Sequence, residues 1–162
     1  MAELEYHNAW HKSDPELMGD ARAFWEELGQ VPEEEIEERL PQLCAIAYDS
    51  GKVVGVSTAY PYIYPRLRSR FAYYRTAIDP NYRRKRVAAS LCSFSWRVIG
   101  DWAKEHPEEE LQGLFIILQA KEFKSRQRNP MVHLLGITYS LVGYTPSGYQ
   151  MRVVWFENAD VE

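Results

Sequence analysis

Four consecutive cations, Arg83-Arg84-Lys85-Arg86, stand where the chain passes from a β-rich run into one with helical periodicity. In the first turn of a helix they would oppose its partial positive charge and unpaired N–H groups, at roughly 0.3–1 kcal/mol each. A phosphate held by those same N–H groups would resolve the conflict. The alternative is an exposed basic helix start, paired with the acidic residues 33–38 or with solvent ions, since surface charges cost little. A second group lies in residues 61–70, where Tyr62 and Tyr64 precede Arg66, Arg68 and Arg70. On an extended chain these arginines would share one face, suited either to a carboxylate or phosphate with tyrosine stacking or to a solubilised hairpin. His7, His11, His106 and His133 show no metal-ligand spacing, and neither do Cys44 and Cys92, so no metal is expected. Ser90, Ser93 and Ser95 lack a Gly-x-Ser-x-Gly elbow, and neither a P-loop nor Gly-x-Gly-x-x-Gly occurs.

The elements that must carry these groups can be read in order. Residues 4–10 make a weak first strand. Asp14 as N-cap and Pro15 at the first helical position open a helix with Leu17, Ala21, Phe24 and Leu28 on one face and Gly29 as its stop. Pro32 opens an acidic helix anchored by Ile36 and Leu40. Residues 42–48 and 52–60 read as a hairpin turning at Asp49-Ser50-Gly51, with Pro61 and Pro65 breaking the pattern. Residues 68–78 form a third long strand. From Arg83 the positions Val87, Leu91, Phe94, Val98 and Trp102 recur as an amphipathic helix requires, and Pro107 ends it. The run 111–119 looks like a strand buried on both faces. After a polar loop, 121–129, the spacing of Val132, Leu135, Tyr139 and Val142 predicts a helix stopped by Gly143. Residues 144–147 and 149–157 close as a last hairpin around Gly148.

A chain of 162 residues should form one domain, residues 1–162, and can bury a core without staples. The net charge of −4 argues against a general nucleic-acid or membrane-surface binder, so the cationic run is a local feature. Two cysteines in apolar runs read as reduced, buried thiols. With no signal-peptide core and no membrane-length apolar stretch, a cytoplasmic location is expected. The fold class is α+β, a mixed sheet with helices on both faces and one strand–helix–strand unit at its centre.

This order, with an anion-friendly turn after the third long strand, resembles the GNAT superfamily of acyl-CoA-dependent N-acyltransferases over nearly the whole chain. In that family the turn carries Q/R-x-x-G-x-G/A, whose backbone amides wrap the pyrophosphate of coenzyme A. Arg83 matches the first position and Ala88 the last, while Arg86 stands in place of the central glycine. Tyr139-Ser140-Leu141-Val142-Gly143-Tyr144 matches a second family spacing, a tyrosine on the last helix followed by Gly-Tyr at its exit. The resemblance implies a mixed, mostly antiparallel sheet and acyl transfer from acetyl-CoA to a small amine-bearing acceptor. It implies donor binding by Ile78, Arg83, Arg84, Lys85, Arg86, Val87 and Ala88, with the Tyr139 hydroxyl protonating the departing thiolate. Tyr62, Tyr64, Arg68 and Tyr73 would border the acceptor. The strand 71–77 lacks the glutamate that often serves as base, which leaves a solvent relay past Tyr73 or Tyr74. Arg86 and the missing base favour an alternative, a GNAT-fold protein without catalysis that binds CoA or another phosphate ligand as a sensor. Family members often pair, and a C-terminal strand over 151–156 would suit a homodimer.

Overall fold

The computed structural model describes residues 4–83, 86–119 and 128–161. Among the described residues three α-helices, α1 (Pro15–Leu28), α2 (Glu33–Arg39) and α3 (Val87–Glu105), accompany eight strands. These are β1 (Leu4–Asn8), β2 (Leu43–Asp49), β3 (Lys52–Tyr64), β4 (Ser69–Ile78), β5 (Leu111–Leu118), β6 (Met131–Leu134), β7 (Ile137–Tyr144) and β8 (Gln150–Trp155). They form one mixed sheet in the order β1-β2-β3-β4-β5-β8-β7-β6. β4 and β5 run parallel, from Arg70 opposite Leu111 to Tyr74 opposite Ile116. The pairs β1/β2, β2/β3, β5/β8, β8/β7 and β7/β6 are antiparallel. By its contacts the chain divides into two compact units, Met1–Tyr60 with Arg75–Ile99, and Pro61–Tyr74 with Gly100–Glu162.

The first unit follows its local signals closely. Asp14 caps α1 by accepting from the N–H groups of Glu16 and Leu17, and Gly29 ends it in the left-handed conformation at φ 68°. Ala21, Phe24 and Trp25 of α1 and Ile36 of α2 pack on Leu43, Ile46, Tyr48, Val56 and Ala77. Burying Ile36 and Ile46 contributes about 1.5–3 kcal/mol each. Strand alternation turns Gly55 and Ser57 to the opposite face. There a Cβ on Gly55 would come within 3.4 Å of Val87 and Leu91, and Ser57 Oγ lies 2.9 Å from Ser95 Oγ of α3. Helices therefore cover both faces of the sheet in this unit. Ser50 and Gly51, both at positive φ, make the two-residue turn from β2 to β3.

Two boundaries in the sequence reading change. β3 continues through Pro61 to Tyr64, beyond Thr58, where its ladder with β2 ends and no backbone donor is demanded on that side. α3 begins at Val87, not at Arg83, because Pro80–Tyr82 forms a 3₁₀ turn and Arg86 holds a left-handed φ of 59°. Arg83 and Arg86 precede the helix; Arg84 and Lys85 lie outside the described residues, as does most of the polar loop.

In the second unit the expected helix through Val132 and Tyr139 is replaced by the hairpin β6–β7. Leu135 and Gly136, at φ 50° and 81°, form its two-residue turn, and Val132 pairs with Tyr139 across it. Residues that suit strands, Val132, Ile137, Thr138, Tyr139 and Val142, flank a glycine that a helix interior would disfavour by about 1 kcal/mol. The last hairpin is correspondingly longer, β7 pairing with β8. β8 has partners on both sides, so it offers no free edge for pairing with a second copy.

Candidate active site

The segment that leaves β4 is fixed through Asp79. Its N–H donates to the Val54 carbonyl at 2.9 Å, its carbonyl accepts from the Tyr82 N–H at 2.8 Å, and its carboxylate accepts from the Asn81 N–H at 2.9 Å. Lys52 Nζ stands 3.5 Å from the second carboxylate oxygen. The Tyr82 hydroxyl donates to Asp49, and that hydrogen bond pushes the phenol pKa up. At the far end of the turn Arg86 accepts the Ser90 N–H at 3.0 Å and so starts α3. The N–H groups of the first helical residues, Val87 to Ala89, have no acceptor within the helix. Val87 is fully buried and Ile78 nearly so, whereas Arg83, Arg86 and Ala88 are exposed. The two buried side chains thus anchor the turn in the core, and the other three face solvent.

Arg86 occupies the place of the motif's central glycine and holds a glycine-type backbone conformation. Its Cβ does not displace the turn into an ordinary helical path. Ala88, exposed and small, leaves the first-turn N–H groups approachable. A helix start whose first N–H groups lack intrahelical acceptors, with exposed guanidinium groups at Arg83 and Arg86, has the chemistry that suits an anion such as a phosphate.

Three of the four tyrosine and arginine residues expected at the acceptor come together in the second unit. Tyr62 and Tyr64 each lie 5.0 Å from the Phe115 ring, Tyr73 lies 5.5 Å from it, and Tyr62 meets Tyr73 edge-on at 5.3 Å. Tyr62 and Tyr73 are half-buried, and Tyr64 is buried with its hydroxyl on the Val142 carbonyl. Arg68 is elsewhere. It sits at the β3–β4 turn at φ 47° and lines a polar cavity of about 530 Å³ with Arg70, Lys104 and Glu110. The alternation of Arg66, Arg68 and Arg70 on one face is lost, because Arg66 lies in a 3₁₀ turn and Arg70 pairs with Glu109 at 3.3 Å.

Tyr139 is on β7, half-buried, and its carbonyl accepts from Arg152 Nη1 at 3.1 Å. The helical position from which the resemblance gave its hydroxyl a role is absent. Sequence reasoning missed Arg152 itself, a cation 1% exposed within the apolar strand β8. It donates to Gln150 Oε1 and to the carbonyls of Asn129, Pro130 and Tyr139, and burial lowers its pKa. It ties the entry to β6 onto β7 and β8. Also missed were Asp49, Lys52 and Tyr82, whose partners are distant in sequence, and Gly55, although an isolated glycine within a strand is a signal that could have pointed to a close approach. Cys44 and Cys92 are buried, and neither takes part in a disulfide. Burial pushes the Cys44 thiol up to about 12, against smaller lowering by hydrogen bonds with Ser95 and Ser57, so it is no nucleophile at neutral pH. Among the described residues no group of three metal-ligating side chains forms, and no helix is long and apolar enough to cross a membrane.

None of the curated proteins matches the chain. Solved structures do. An acetyltransferase of the GNAT family from Streptococcus pneumoniae superposes with a TM-score of 0.53 at 16% identity, over 94% of this chain and 98% of that one. Arabidopsis thaliana NAA60, solved in complex with acetyl-CoA, gives 0.55 at 10% identity over 95% and 99%. A GNAT family acetyltransferase from Brucella melitensis, also with acetyl-CoA, gives 0.50 at 9% over 100% and 94%. At these identities the likeness shows the fold. The sequence profile of the acetyltransferase (GNAT) family matches residues 5–117, well over half of the chain. With the motif turn between β4 and α3 in place, this chain belongs to the acetyltransferase (GNAT) family.

Proposed function

We propose that the protein is an acyl-CoA-dependent N-acyltransferase that moves an acetyl group from acetyl-CoA to a small amine-bearing acceptor. The observation that carries this reading is Arg86: the motif glycine is gone, yet the backbone conformation that glycine supplies is kept. The backbone around Arg86 to Ala88, with the side chains of Arg83 and Arg86 and the cations Arg84 and Lys85, would hold the donor phosphates. Ile78, at the family's pantetheine-contacting position, would offer its backbone to the pantetheine arm. Acetyl-CoA supplies an acyl group already activated as a thioester, so the protein contributes chiefly proximity, worth about 7–11 kcal/mol at best. Tyr62 and Tyr73 would flank the acceptor with Tyr64 behind them, and Arg68 has no part there. The attacking amine must lose a proton. The strand β4 carries no carboxylate, so the proton would pass to solvent beside Tyr73.

Two observations favour a second reading, binding without catalysis: β4 carries no acidic residue, and the helix expected to carry Tyr139 is a hairpin. Thiol release from acetyl-CoA in the presence of a panel of amines separates the two. Turnover with at least one amine is the expected result; acetyl-CoA binding without thiol release from any of them establishes the sensor reading. Tyr139 stands as the thiolate's proton donor by resemblance alone. Tyr139→Phe should lower turnover about tenfold or more with acetyl-CoA affinity retained, and unchanged turnover removes it from the mechanism.

A further inference from the structure

Both ends of the donor turn are anchored. Between the 3₁₀ turn ending at Tyr82 and the start of α3 at Val87, its described residues Arg83 and Arg86 belong to no helix or strand. Val87 is locked in the core beside Gly55, while the other end is tied to the tip of the β2–β3 hairpin. Three separate ties reach that hairpin: Tyr82 to Asp49, Asp79 to Lys52, and the Asp79 N–H to the Val54 carbonyl. Both ends of the hairpin turn are engaged, Asp49 closing β2 and Lys52 opening β3.

We infer that this hairpin tip is a positioning device for the donor turn, with Asp49 acting through Tyr82 and Lys52 through Asp79. The inference rests on the donor assignment made above and extends it to residues outside the family motif. One physical effect gives the device its value. A turn already fixed loses less conformational freedom when phosphates bind it, so affinity rises without any new contact to the ligand. The Tyr82 hydroxyl and the Ser50 hydroxyl each donate to one Asp49 carboxylate oxygen, so this carboxylate is held at the hairpin tip from both sides. The raised pKa of the Tyr82 phenol is consistent with a hydroxyl committed to that carboxylate. The Lys52 tie is weaker, since the lysine side chain is 62% exposed and the Asp79 carboxylate only 13%. Tyr82 and Asp49 are accordingly the principal positioning residues.

Calorimetric titration with acetyl-CoA, on wild type and on Tyr82→Phe, Asp49→Ala, Asp49→Asn and the double variant Tyr82→Phe/Asp49→Ala, tests this. Tyr82→Phe and Asp49→Ala should each weaken binding about fivefold, the scale of one net hydrogen bond. The double variant should be no weaker than the weaker single, and Asp49→Asn, which keeps an acceptor for the phenol, should retain most of the affinity. Melting midpoints without ligand should fall by no more than about 4 °C, the shift that the loss of one such hydrogen bond gives in a chain of this size. Unchanged dissociation constants, or losses that add in the double variant, would overturn the device while leaving the donor reading intact. A lowered midpoint with unchanged affinity would reduce the pair to a structural contact and overturn it equally. Failure of the wild type to bind acetyl-CoA would overturn the donor reading itself.

Discussion

Arg86 combines a backbone cost with a side-chain opportunity. A non-glycine residue in the left-handed region is disfavoured by about 1–2 kcal/mol, and the exposed guanidinium recovers none of this in the free protein by burial. If the side chain engages the donor phosphates, stability and affinity must move in opposite directions when it is removed. Arg86→Gly should raise the unfolding free energy by about 1 kcal/mol and weaken acetyl-CoA binding severalfold, the second effect shrinking at high salt. Tighter binding by Arg86→Gly would mean that the guanidinium obstructs the site. The sequence exposed the departure from the motif but not its consequence, because a backbone dihedral depends on the neighbouring anchors, Val87 in the core and the turn held by Asp79. Tyr139 was misread for a related reason: its spacing to Val132 and Leu135 fits a helix, and only the left-handed pair Leu135-Gly136 reveals a strand.

Among the elements, those with strong punctuation were legible. Asp14-Pro15 and Gly29 bounded α1, Ser50-Gly51 turned β2 into β3, and the apolar run 114–118 lay within an internal strand. The β6–β7 hairpin was not, since four residues of strand pairing leave little periodicity to read and pairing partners are set by tertiary context. One glycine there carries more than its sequence suggests. A Cβ on Gly113 of β5 would stand 2.3 Å from the Val154 carbonyl oxygen of β8, a backbone atom that cannot swing aside. Gly113→Ala should therefore destabilise the protein by about 1–3 kcal/mol or more, read as a shift of the urea midpoint. A neutral result would show that the β5–β8 ladder yields easily, against the close pairing from Gly113 opposite Trp155 to Leu118 opposite Gln150.

For the molecule as a whole, the acidic balance and the basic turn describe different things. The net charge of −4 gives no general attraction for a polyanion such as coenzyme A, so on the proposed reading affinity comes from the local arrangement between β4 and α3. The place of that turn, between β4 and α3, was legible from the cation run and its distance from Asp79-Pro80; its part in donor binding is the proposal made above. The sequence named Tyr62, Tyr64 and Tyr73 only through the family resemblance, and their packing around Phe115 was not legible because the members of the cluster come from three strands. The account stands or falls on donor binding at this turn, and ligand-dependent stability measures it most directly. Thermal or denaturant unfolding of the wild type with acetyl-CoA at about 100 times its dissociation constant should show an added stability of about 2.7 kcal/mol. Stability that does not change with acetyl-CoA at any concentration up to the millimolar range would contradict it.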